Sequence, residues 1–221
     1  MRYLVVIICI LYSSLCQSQK EKETRIFFDT IGQEVSPEQF YALARELKNI
    51  SLFFTDGPIL MGFLIPREHH GQLQKEDYSI FTQHLTNISG KKVDTTKTIV
   101  IDYLSAQSKK KRSETDRKSS WRILTPYHAK KLKKITNGQH YWIYSPENYD
   151  IDYYRTNKIN WLEDKNKILE QLFFAYEVQF SIFLMVKPDG RFMIYYGEYG
   201  EYSKLKGNKF VDLIKTIAND N

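Results

Sequence analysis

Few side chains in this sequence have the types and spacing that chemistry needs. Glu68-His69-His70 is the densest ligand-type set. Adjacent histidines point to opposite faces of a strand, or about 100° apart on a helix, so they do not converge on one metal ion. No His-Glu-x-x-His occurs and no third ligand stands at usable spacing, so the segment reads as a solvated loop after Pro66. Serine, histidine and aspartate are all present without a Gly-x-Ser-x-Gly elbow. Neither a Gly-x-Gly-x-x-Gly nor a glycine-rich loop before Lys-Ser or Lys-Thr occurs. No catalytic residue, metal site or cofactor is expected from these patterns.

The thiols are confined to the start of the chain. Arg2 gives a short positive beginning, Leu4 to Leu11 is an apolar run, and Cys16-Gln17-Ser18 places small residues before Gln19. This is the layout of a signal peptide over residues 1–18, too short to cross a bilayer. Both cysteines, Cys9 and Cys16, lie inside it, so the expected mature chain is cysteine-less and periplasmic or extracellular. Lipid anchoring through Cys16 is the competing reading, disfavoured by the bulky Leu15 before it. No transmembrane helix is expected in the mature chain.

The formal charge of +6 is unevenly placed, because residues 101–140 hold eleven basic and three acidic side chains. Lys109, Lys110, Lys111 and Arg112 form one run, and Lys130, Lys131 and Lys134 lie on one side of a helix expected from Pro126. Together they make a candidate surface for phosphate, acidic glycan or anionic lipid. A solvated face is the plainer alternative. Export argues against a nucleic-acid partner. The run Tyr195-Tyr196-Gly197-Glu198-Tyr199-Gly200-Glu201-Tyr202 reads either as a half-buried edge strand or as a recognition surface.

These groups need a scaffold, and the apolar spacing outlines one. Arg25–Phe28 reads as a strand, and Ser36-Pro37-Glu38-Gln39 opens a helix carrying Phe40, Leu43, Ala44 and Leu47. Ile50–Phe54 and Ile59–Ile65 flank an Asp-Gly turn. Tyr78, Phe81, Leu85 and Ile88 share a helix face ended by Gly90. Thr98–Leu104 is the strongest strand, followed by a basic loop, a helix from Pro126 to Asn137 and the strand His140–Tyr144. A long helix is expected from Asn160 through Phe173, then a hairpin over 176–199 and a terminal helix with Phe210, Val211, Ile214 and Ile217. The fold class is α/β or α+β, with a mixed central sheet and flanking helices. Thr98–Leu104 should lie inside that sheet, between His140–Tyr144 and Ser181–Val186, because its β-branched run needs cover on both faces.

The order from Thr98, with Tyr176, Val178, Leu184, Val186 and the Pro188-Asp189-Gly190 turn, resembles a redoxin-type thioredoxin-like domain over residues 98–221. With the leader over 1–18, the resemblance leaves an N-terminal α+β extension over 19–97 and implies a degenerate thioredoxin-like domain over 98–221. The family's two cysteine positions fall on Ser108 and Lys111, and its proline position falls on Ser181. Thiol–disulfide exchange needs a thiolate, which neither serine nor lysine supplies. The expectation is an exported, non-catalytic binding or interaction protein of the bacterial cell envelope. An envelope protein or an anionic surface is its expected partner. The alternatives are an exported non-redox enzyme with a site assembled from distant residues, or a lipid-anchored structural protein.

Overall fold

The computed structural model describes residues 24–46, 48–106, 137–148, 151 and 159–197. Cys9, Cys16, Ser108, the candidate basic surface (Lys109, Lys110, Lys111, Arg112, Lys130, Lys131, Lys134) and the expected terminal helix lie outside those residues. The chain divides into two compact units, Met1–Pro66 and Arg67–Asn221.

In the first unit, four strands form a mixed sheet ordered β2-β1-β4-β3: β1 (Thr24–Phe28), β2 (Glu34–Val35), β3 (Asn49–Asp56) and β4 (Ile59–Pro66). Helix α1 (Pro37–Ala44) begins with the expected capping box: Gln39 N–H donates to Ser36 Oγ at 3.2 Å, and Ser36 N–H to Gln39 Oε1 at 3.1 Å. Phe40 is thereby carried onto Phe27, with ring centroids 4.6 Å apart and Leu64 beside them. Gly62 of β4 permits that packing, since a Cβ there would stand 2.6 Å from the Phe27 ring.

The second unit is a six-stranded mixed sheet ordered β5-β10-β9-β6-β7-β8. Its strands are β5 (Glu68–Gln72), β6 (Ile99–Leu104), β7 (Gln139–Tyr144), β8 (Trp161–Glu163), β9 (Ser181–Val186) and β10 (Arg191–Tyr196). Every residue of β6 is buried, and the strand lies between β7, parallel to it, and β9, antiparallel. That is the place its apolar run requires. Helices α2 (Lys75–Ser89) and α3 (Ile168–Phe173) cover one face through a chain of rings. Phe81 meets Phe173 at 5.2 Å, Phe173 meets Phe192 at 5.2 Å, and Phe174 meets Tyr103 at 4.8 Å. Strand alternation turns Asp102 and His140 to the opposite face.

Three features depart from the sequence reading. Strand β5 hydrogen-bonds along β10. Glu68-His69-His70 is therefore strand rather than loop, with the two histidines on opposite faces and His70 Nε2 2.5 Å from Glu68 Oε1. Trp161 belongs to β8, paired with Trp142, instead of opening a long helix. The helix starts only at Ile168, since Asn166 and Lys167 hold φ of 63° and 54° and interrupt any helix across them. Finally, β10 is interior instead of an edge, and Tyr195 and Tyr196 are buried.

Candidate binding site at the carboxyl end of the central strand

The carboxyl end of β6 is tied down by backbone and short polar side chains. Ser145 N–H donates to Leu104 O at 2.8 Å, Asn148 Nδ2 to Ser105 O at 2.8 Å, and Ser105 Oγ to Phe180 O at 2.6 Å. Beside this junction lies a cavity of about 210 Å³. Tyr103 and Ile182 contribute the floor, Phe174 and Tyr176 an aromatic wall, and Glu147, Glu170, Glu177 and Lys167 the charges.

The floor is fixed by Asp164, whose side chain is fully buried. Its carboxylate faces His84 Nε2 at 2.8 Å and accepts the Tyr103 hydroxyl at 3.3 Å. It also accepts the N–H groups of Leu169 and Glu170, at 3.1 and 3.4 Å, and so starts α3. A buried carboxylate is tolerable when each oxygen is met in this way. Tyr103 gives its shorter bond, 2.8 Å, to Glu170 Oε1. Burial, followed by the charges of Asp164 and Glu170, pushes the Tyr103 phenol far above its usual range, so it stays a donor.

Lys167 closes the opposite side. Its ammonium stands 2.6 Å from Glu147 Oε1 and 3.7 Å from Glu170 Oε2. The hydrogen bond to Glu147 leads the influences that raise its pKa, with charges on Glu170, Glu147 and Glu177 adding to it. The residue sits in the left-handed backbone region, a conformation costing a residue with a Cβ about 1–2 kcal/mol. Backbone strain of this kind collects at functional sites.

A second buried pair lies on the other face. His140 Nε2 is 2.5 Å from Asp102 Oδ2, their side chains are 8% and 6% exposed, and the imidazole packs 4.7 Å from the Trp142 ring. Among the described residues, His140 Nδ1 is buried with no hydrogen-bond partner.

The cavity can hold a ligand by charge and by ring contact, and two of its hydroxyls are committed. Ser105 Oγ donates to a backbone carbonyl and Tyr103 donates to carboxylates, so neither is set up as a nucleophile. Among the described residues, no three metal-ligating side chains converge. Of the positions singled out by sequence, Ser181 is described: it begins β9 opposite Leu104, next to the cavity residue Ile182. Residues His84, Tyr103, Glu147, Asp164, Lys167, Glu170 and Glu177 escaped the sequence reading, because they come from well-separated segments and form no motif.

The chain matches no protein-family model, and no curated protein matches it.

Proposed function

We propose that this chain is an exported, non-catalytic binding protein of the bacterial cell envelope that takes a small ligand in the cavity at the carboxyl end of β6. The observation that carries this reading is the cavity's position and chemistry. Open α/β sheets bind ligands beyond the carboxyl ends of their parallel strands, and this cavity opens beyond that end of β6 with charged and aromatic walls. A thioredoxin-like core is part of the proposal. It is supported by the strand order β10-β9-β6-β7, with β6 and β7 parallel and β9 antiparallel to both of its neighbours. Export rests on the leader-like first residues, and a thiol-free mature chain rests on cleavage after Ser18. The basic residues Lys109–Arg112 and Lys130–Lys134 would then serve as a second contact, with anionic surfaces.

Intact-mass analysis of the secreted protein should place its start near Gln19, with no reactive thiol. A disulfide-reduction or peroxide-reduction assay should show no turnover. Turnover above a boiled control would contradict the non-catalytic reading. One observation favours an enzyme instead: Asp102 orients His140 while the other imidazole nitrogen has no partner among the described residues, the relation of an orienting carboxylate to a general base. Covalent labelling of His140 by a histidine-directed reagent in the native state would support that second reading. Protection of the buried ring is expected under the first.

A further inference from the structure

The charges of the cavity specify what it should hold. Among the described lining residues, three carboxylates, Glu147, Glu170 and Glu177, stand against one lysine. That lysine shows where a cation is stable in the site, since its ammonium lies between Glu147 and Glu170 and feels all three acids. Neither ion pair is sealed. The Lys167 side chain is 36% exposed, that of Glu147 47% and that of Glu170 26%. Lysine is also tethered here through a left-handed backbone link that few residues adopt without strain. The aromatic side chains Phe174 and Tyr176 complete the lining, and ring faces attract organic cations.

We infer that the cavity binds a small organic ammonium ion, with Lys167 occupying the site as an internal stand-in that the ligand displaces from Glu147 and Glu170. The ligand's ammonium takes the position between the carboxylates, and its apolar body lies on Phe174 and Tyr176. Among the described lining residues, an anionic ligand would face an excess of like charge, and the one lysine there is already paired. This inference rests on the reading of the cavity as a binding site and adds the class of ligand. It also makes a prediction of sign. Removing Lys167 frees the carboxylates, which helps a cation and harms an anion.

The test is isothermal titration of the full chain with 2-phenylethylammonium, 3-phenylpropionate and 3-phenylpropanol, which share a ring and differ in the head group. The ammonium should bind with Kd on the order of 0.1–1 mM, within reach of a ligand of this size. The other two should bind at least about tenfold more weakly, a margin of about 1.4 kcal/mol. Lys167→Met should tighten ammonium binding by about threefold, and Glu177→Gln should weaken it by about the same factor, as partly exposed ion pairs do. Lys167→Gln serves the same purpose should the methionine variant fail to fold. Preferred binding of the propionate, lost in Lys167→Met, would overturn the ligand class and leave the binding site standing. Equal binding of the alcohol would likewise remove the cation from the account. No binding of any probe up to about 10 mM, weaker than any ligand complementary to the site should show, would overturn both the class and the site. Ammonium binding unchanged in both variants would place it elsewhere and overturn the inference.

Discussion

The two faces of the six-stranded sheet each bury a carboxylate beside a histidine, and they do so in different ways. Asp164 meets His84, the Tyr103 hydroxyl and two backbone N–H groups at the start of α3. Asp102 meets His140, whose Nδ1 has no partner among the described residues. The first carboxylate organises backbone and connects to the cavity through Tyr103 and Glu170. The second is a side-chain pair within adjacent strands, at positions where an apolar residue would fit the pattern of β6. A buried charge that satisfies backbone is part of the fold. A buried charge that satisfies only another side chain is replaceable.

That contrast is open to attack by substitution, and the largest effect belongs to Asp164. Asp164→Ala should cost about 3–5 kcal/mol, because it strands His84 and two N–H groups in the interior. Chemical denaturation measures it, and a loss below about 1 kcal/mol would remove Asp164 from its structural role. Asp102→Ala alone should cost about 3 kcal/mol, by leaving His140 unpaired.

The double replacements sharpen the comparison. Asp102→Leu with His140→Phe should be close to neutral, within about 1 kcal/mol, since both polar partners leave together. His84→Phe with Asp164→Leu should remain destabilised by about 2 kcal/mol or more, because the Leu169 and Glu170 N–H groups still lose their acceptor. Equal outcomes for the two double variants would erase the distinction between the faces.

Smaller effects should follow nearer the cavity. Tyr103→Phe removes one hydroxyl while Asp164 and Glu170 keep other partners, so about 1 kcal/mol should be lost. Lys167→Gly should change stability by less than about 1 kcal/mol. Relief of the left-handed backbone roughly offsets the lost, partly exposed ion pairs.

The sequence exposed the parts of this molecule that depend on local pattern. The Ser36–Gln39 capping box, the Asp-Gly turns and the interior position of Thr98–Leu104 all follow from residues a few positions apart. The same local reading misplaced Trp161, because an aromatic at helical spacing from Ile168 equally suits a strand partner of Trp142. It missed β5, whose Glu-His-His-Gly composition lacks the apolar alternation of a strand and is held by the register with β10. The cavity was illegible for a related reason. Glu147 follows β7, Lys167 and Glu170 flank the start of α3, and Glu177 precedes β9, so only pairing in space assembles them. Lys167 carried no warning in sequence, since it is neither the glycine nor the asparagine that a left-handed link usually advertises.

The central claim is that the carboxyl end of β6 is the binding site, and a residue-resolved titration tests it most directly. Amide ¹H–¹⁵N spectra of the full chain should be followed as 2-phenylethylammonium is added. The shifts should saturate together and gather at Tyr103–Ala106, Lys167–Val178 and Ile182, leaving β5 and the Asp102–His140 face unmoved. Saturable shifts centred on the basic segment 109–134 or on the Asp102–His140 face, or no saturable shifts at all, would contradict the account.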